Sequence, residues 1–268
     1  VSELTNPFTS RIYRGGHYGF GTASAAALGA KFSLDQGYMN RYADVLSKVI
    51  VFAGDGAIYD IGNGPFNYAI GVDLDGAVLE WGRANNVARL DAEQQMRIEL
   101  LQEDVTDTAP ELADIVLAMN FSYYLFPTRP EMIAYFRNVR EGLAADGIFF
   151  IDAYGGYDAP REIEEERECD GFTYIWEQAS FNPIDGMMDC HIHFTFPDGS
   201  RMDRAFSYRW RLWTLPELRE MLAEAGFRDI VVYWEGTDED ANEGNGIFEP
   251  AEMGDPDPGW ICYIVAQP

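Results

Sequence analysis

Five short apolar runs end in an acidic or amide residue, or in a glycine turn, and helix-like segments lie between several of them; this pattern most limits what the chain can fold into. Ala69-Ile-Gly-Val-Asp73 is followed by a helical stretch, Ala77 to Asn85, in which Leu79 and Arg83 lie one turn apart. Val49-Ile-Val-Phe-Ala53 is a β-branched run closed by Gly54-Asp55-Gly56. Met96 to Leu101 leads into Glu103-Asp104, Asp114 to Met119 into Asn120-Phe121, and Gly147-Ile-Phe-Phe-Ile runs into Asp152. Apolar runs of this length read as buried strands. Alternation of such strands with helices predicts a mainly parallel sheet covered on both faces. Pro130 to Leu143 is the clearest helix of the set, because Met132, Ile133, Phe136, Val139 and Leu143 recur at helical spacing behind a proline near the start.

The pattern changes after Gly156. Phe172 to Phe181, Met188 to Phe196 and Arg201 to Trp210 are aromatic-rich alternating runs, separated by the turns Asn182-Pro-Ile-Asp-Gly186 and Pro197-Asp-Gly-Ser200. They predict an antiparallel meander. Thr214 then caps a helix with Glu217 three residues on and Gly226 as its stop. Asp229 to Trp234 and Trp260 to Ala266 are the last two predicted strands. The acidic stretch Asp238 to Pro258, rich in Gly and Pro, reads as a surface loop. Thr22 to Phe32 is Ala-rich enough for a further helix near the start.

In a wound α/β sheet, an acid at the tip of the second strand is placed to accept hydrogen bonds from ribose hydroxyls. Asp73 occupies that position, and a second acid one strand further on can meet an adenine. The residues therefore point to an adenosine-containing cofactor. The net charge of −26, with only two lysines (Lys31 and Lys48), repels nucleic-acid phosphates and anionic membranes. No apolar run approaches the roughly 18 residues of a membrane span. Val1-Ser-Glu-Leu-Thr-Asn-Pro7 carries no signal pattern, and Cys169, Cys190 and Cys262 lie far apart without metal-ligand spacing. The expectation is a cytoplasmic protein with reduced thiols and no metal, and the aromatic content is compatible with a homodimer.

Taken in order, Gly71-Val-Asp-Leu-Asp75, Leu79-Glu-Trp-Gly-Arg83, Leu101-Gln-Glu-Asp-Val105, Asn120-Phe-Ser-Tyr-Tyr124 and Asp152-Ala-Tyr-Gly-Gly156 resemble the class I S-adenosylmethionine-dependent methyltransferases, in particular a bacterial small-molecule branch. Trp210-Arg-Leu-Trp-Thr-Leu-Pro-Glu-Leu218 with Ala225-Gly-Phe227 extends the resemblance, which covers about residues 66–268. It implies an α/β fold: a Rossmann-like, mostly parallel, seven-stranded sheet ending in an antiparallel strand and carrying an antiparallel β-meander insert. It divides the chain into an N-terminal helical, Gly-rich segment (1–48), a cofactor-binding core (49–156), the insert on the substrate side (157–213) and a helix with strands that complete the sheet (214–268).

The same resemblance implies the site. Asp73 would take the ribose hydroxyls of S-adenosylmethionine, and Leu74 would pack on its adenine. Asp104 would accept from the adenine amino group, with Glu103 an equally placed alternative and Val105 offering its amide. Ala53, Gly54, Asp55 and Gly56 would approach the methionine end, and Asn120 and Phe121 would border the methyl group. Tyr123, Tyr154, Arg209 and Arg211 are the candidates for holding a small-molecule acceptor. His191, His193, Glu177 and Tyr154 are the candidates for a general base. The family's regular first helix is not matched, because Gly62, Gly64 and Pro65 would break it. Val49 to Gly56 with Tyr59-Asp-Ile-Gly62 instead resembles the diphosphate-binding segment of thiamine-diphosphate-dependent 2-oxoacid:ferredoxin oxidoreductases, in which Asp55 and an asparagine of the pair Asn85-Asn86 would hold Mg²⁺.

Overall fold

Each apolar run is too short to bury itself, and the chain solves this by pairing the runs. The structure is a computed structural model that describes residues 49–53, 68–107, 112–238 and 243–268. The expected helix 22–32 and the turn Gly54-Asp55-Gly56 lie outside the described residues, as does most of the segment 1–65. In chain order the first strands are β1 (Val49–Ala53), β2 (Ala69–Asp73), β3 (Ile98–Gln102), β4 (Ala113–Met119) and β5 (Leu143–Gly155). Then come β6 (Ile163–Cys169), β7 (Phe172–Phe181), β8 (Met187–Thr195) and β9 (Arg201–Arg211). The last are β10 (Arg228–Asp238), β11 (Glu243–Pro250) and β12 (Trp260–Gln267). The helices are α1 (Gly76–Asn85), α2 (Ala92–Gln95), α3 (Arg129–Glu141) and α4 (Leu215–Glu224).

One sheet runs in the order β11-β10-β12-β5-β4-β1-β2-β3. β1 to β5 are mutually parallel, so their carboxyl ends share one edge. β12 is antiparallel to β5, and β10 is antiparallel to β12. The fold is thus a mixed α/β sheet, and it has eight strands where the sequence predicts seven. The eighth is β11, inside the stretch read as a loop. β11 pairs with the long β10 and buries Phe248, whose ring lies 4.6 Å from that of Tyr263. Tertiary pairing overrides a composition that looks loop-like.

β4 is buried along nearly its whole length, as a central parallel strand must be. α3 buries Met132, Ile133, Tyr135, Phe136 and Val139, and its Tyr135 and Phe136 rings meet Phe149 of β5 at 6.3 and 5.8 Å. Thr128 and Glu131 close a capping box at its start. The helix ends at Glu141, so Leu143 opens β5 and is not a helical residue. α4 packs beside α3 through Leu218, Met221 and Leu222, and Arg129 reaches Glu224 at 3.0 Å. Met96 precedes β3 and is 76% exposed, because α2 intervenes where a longer strand is predicted.

The second sheet is antiparallel, in the order β6-β7-β8-β9. β6 carries Glu164, Glu165, Glu166 and Glu168 and gave no alternating apolar signal, so only three of its four strands are predicted from sequence. One face of this sheet presents Trp176, Met188, Cys190, Ile192 and Trp210, all buried. The Trp210 ring meets Phe121 at 6.4 Å and Tyr124 at 6.3 Å. The Tyr154 hydroxyl meets the Met188 sulfur at 2.9 Å. The insert is thereby seated over the carboxyl edge of β4 and β5.

Candidate functional site

Three strand tips define the carboxyl edge: those of β2 and β3 adjoin, and that of β4 lies on the far side of β1. Asp73 ends β2, half-buried, and its Oδ1 accepts the amide of Asp75 at 2.8 Å. Asp75 in turn caps α1 by accepting from Ala77 at 2.8 Å. Leu74, between the two acids, is 66% exposed although apolar. Beyond β3, the amide of Glu103 donates to the carbonyl of Asp73 at 3.1 Å, which ties the second tip to the first. Asp104 follows, half-buried, and its Oδ1 accepts from the Thr106 hydroxyl at 2.7 Å and amide at 2.8 Å. These donors, the hydroxyl foremost, hold its carboxyl below the usual carboxylate range. The Glu103 side chain is exposed. Val105 packs against the core, and its carbonyl accepts from Asn138 at 2.9 Å.

The third tip is a left-handed turn. Asn120 and Phe121, directly after β4, have φ of 60° and 55°. Left-handed backbone at two successive non-glycine residues costs about 1–2 kcal/mol each and needs a compensating contact. That contact is Asp152 on β5. Its carboxylate accepts from the Asn120 amide at 2.8 Å and from the Phe121 amide at 3.0 Å. Asp152 is 2% exposed. Burial pushes its carboxyl up to about 7 against the lowering effect of the two amides. Sequence reading did not single out Asp152 as a site residue. The available signal was its place as an acid closing an apolar run, the same signal that marked Asp73.

The other candidates are dispersed. Phe121 turns its ring into the core, 4.7 Å from Tyr154. Tyr123 is buried and donates to the Asp152 carbonyl at 2.5 Å. Tyr154 is buried against Met188, so its hydroxyl faces no open space. Arg211 lies over the Trp213 ring at 3.7 Å and donates to the Pro127 carbonyl at 3.1 Å. Arg209 is exposed, opposite Asp189.

The two histidines lie on the face of the insert opposite Trp210. His191 Nδ1 meets the Ser207 hydroxyl at 2.8 Å. His193 is 5% exposed, and its Nδ1 accepts the Arg204 amide at 3.1 Å. Its Nε2 lies 2.9 Å from the Glu177 carboxylate, and its Nδ1 also lies 3.3 Å from the Asp203 carboxylate. His193 and Glu177 satisfy each other, and among the described residues no cluster of three His, Cys, Asp or Glu side chains could hold a metal.

No protein-family model matches the sequence, and no curated protein matches it. Solved structures do match in shape. An S-adenosylmethionine-dependent methyltransferase from Clostridium acetobutylicum has a TM-score of 0.64 at 15% identity, covering 86% of this chain and 88% of that one. The CcbJ methyltransferase of Streptomyces caelestis has a TM-score of 0.63 at 15% identity, covering 90% and 94%. An amino pentose methyltransferase from Micromonospora echinaspora, solved with S-adenosylmethionine bound, has a TM-score of 0.58 at 15% identity, covering 87% and 89%. The chain shares the fold of these methyltransferases. The thiamine-diphosphate resemblance gains no support.

Proposed function

We propose that the protein transfers a methyl group from S-adenosylmethionine to a small-molecule acceptor. The observation that carries this reading is the row of acceptors at one sheet edge. Asp73 and Asp104 follow two adjoining parallel strands, with exposed Leu74 beside them. A nucleoside offers the matching set: two ribose hydroxyls, one exocyclic amine and an apolar ring. Asp73 would take the hydroxyls. Asp104, kept ionised by Thr106, would take the amine, and Leu74 would lie against the ring. Ala53, Gly54, Asp55 and Gly56 are assigned to the methionine end, and Asn120 to the border of the methyl group. The acceptors Asp73 and Asp104 suit the hydroxyls and the amine of this cofactor.

When bound, S-adenosylmethionine supplies a methyl already activated on a sulfonium. The remaining task for the chain is to hold the acceptor in line with it and near contact, about 3–3.5 Å. The insert is assigned to that role, because it is anchored beside the β4 tip through Trp210 and Met188. Inserts at the carboxyl edge of wound sheets commonly shape the substrate pocket.

Calorimetry with S-adenosylmethionine and S-adenosylhomocysteine tests the reading. Saturable binding of both, weakened at least tenfold by Asp73→Ala, is the expected outcome. Absence of heat from either ligand contradicts it.

A further inference from the structure

We propose that Asp152 is a positioning residue for the methyl end of this site: its carboxylate holds Asn120 and Phe121 in their left-handed turn by accepting both amide protons. This inference rests on the methyltransferase reading for its functional half and on geometry alone for its structural half.

Two consecutive non-glycine residues at φ of 60° and 55° do not hold that shape unaided. Both amides point to one side chain, at 2.8 and 3.0 Å, from a different strand. The carboxylate is 2% exposed, so no solvent donor substitutes for them. An ionised carboxylate offers acceptor sites on both oxygens, whereas a protonated one turns one oxygen into a donor. Protonation thus weakens the acceptor facing one of the two amides and loosens the turn. A buried amide with a weakened acceptor loses free energy on the scale of the strain the turn carries.

The groups acting on this carboxyl come from every neighbouring element. Tyr123 and Tyr124 follow β4, and Cys262 lies on β12, which pairs with β5. Burial pushes all three upward, so they stay neutral across the working range. Asp152 is then the group whose charge changes there, with its midpoint raised to about 7.

Two readouts test this on the whole chain. Hydrogen exchange without ligand, corrected for intrinsic pH dependence, reports the Asn120 and Phe121 amides directly. Their protection should rise at least tenfold between pH 5.5 and 8.5 in the wild-type protein and should not rise in Asp152→Asn. Calorimetry with S-adenosylhomocysteine should show affinity rising over the same range in the wild type, and Asp152→Asn fixed at the wild type's low-pH value. Wild-type amides with flat protection overturn the positioning role, even if the variant does not fold. Wild-type protein that binds no S-adenosylhomocysteine at any pH, with the exchange pattern intact, overturns only the functional half.

Discussion

The amide of Glu103 donates to the carbonyl of Asp73 at 3.1 Å, so the end of β3 is fixed against the end of β2. Asp104, the next residue, is thereby held beside Asp73 by backbone and not by chance approach of two flexible side chains. This distinguishes the two neighbouring acids. The Glu103 side chain is exposed, whereas the Asp104 carboxyl is oriented by two hydrogen bonds from Thr106. Asp104→Ala should weaken S-adenosylhomocysteine binding about tenfold or more, the scale of one charge-assisted hydrogen bond. Glu103→Ala should change it less than about twofold. The reverse ranking in a titration would reassign the adenine contact to Glu103.

The buried carboxyl of Asp152 makes stability depend on pH in a definite direction. Its folded pKa, about 7, lies above the ordinary value of 3.8. Between these values the unfolded chain releases the proton while the folded chain keeps it. This group's contribution is therefore fully present at low pH and is lost as pH rises through the folded midpoint. Asp152→Asn removes that dependence. The stability of the variant relative to wild type should rise between pH 4 and 8 by up to roughly 4 kcal/mol, measured by urea unfolding at each pH. A difference that does not change with pH contradicts the assigned burial.

The junction between insert and core rests on Trp213 and Thr214. The Trp213 indole donates to the Phe126 carbonyl at 3.2 Å, and the residue is buried under Arg211. Trp213→Ala should cost about 3–5 kcal/mol of stability. Thr214→Ala removes the side chain that accepts from Glu217 and should cost about 0.5–2 kcal/mol. A larger loss for Thr214→Ala than for Trp213→Ala in denaturant unfolding would mean that the helix cap, and not the buried ring, dominates this junction.

The thiols give a check on burial. Cys190 and Cys262 are buried and Cys169 half-buried. Burial raises all three thiols, so none is an activated nucleophile. A thiol-specific reagent at neutral pH should label only Cys169, slowly, in the folded protein, and all three after unfolding. Rapid labelling of Cys262 would mean that β12 does not close the sheet against β5.

Much of this was legible in the chain. Parallel strands buried on both faces have to be continuous apolar runs, which is why β2, β4 and β5 stand out and why Asp73, Asn120 and Asp152 mark their ends. The capping boxes at Thr128 and Thr214 are local chemistry and were readable for the same reason, with Thr214 named outright. β6 and β11 were not legible. β6 is an acidic strand stabilised by pairing with β7, and β11 is stabilised by β10 and by Phe248 against Tyr263. Neither carries a periodic apolar signal of its own. The roles of Tyr123 and Tyr154 failed to follow from sequence because an aromatic beside a site and an aromatic beneath it read alike. Only packing shows that both hydroxyls are spent inside, on the Asp152 carbonyl and on Met188.

The most direct test of the central claim is a hydrogen-exchange footprint of S-adenosylhomocysteine on the wild-type protein. The account predicts new protection at three separate strand tips, residues 73–76, 103–106 and 120–122, with the outer face of the insert around His191 and Ser207 unchanged. Protection confined to the insert, or none at the three tips under saturating ligand, would contradict it.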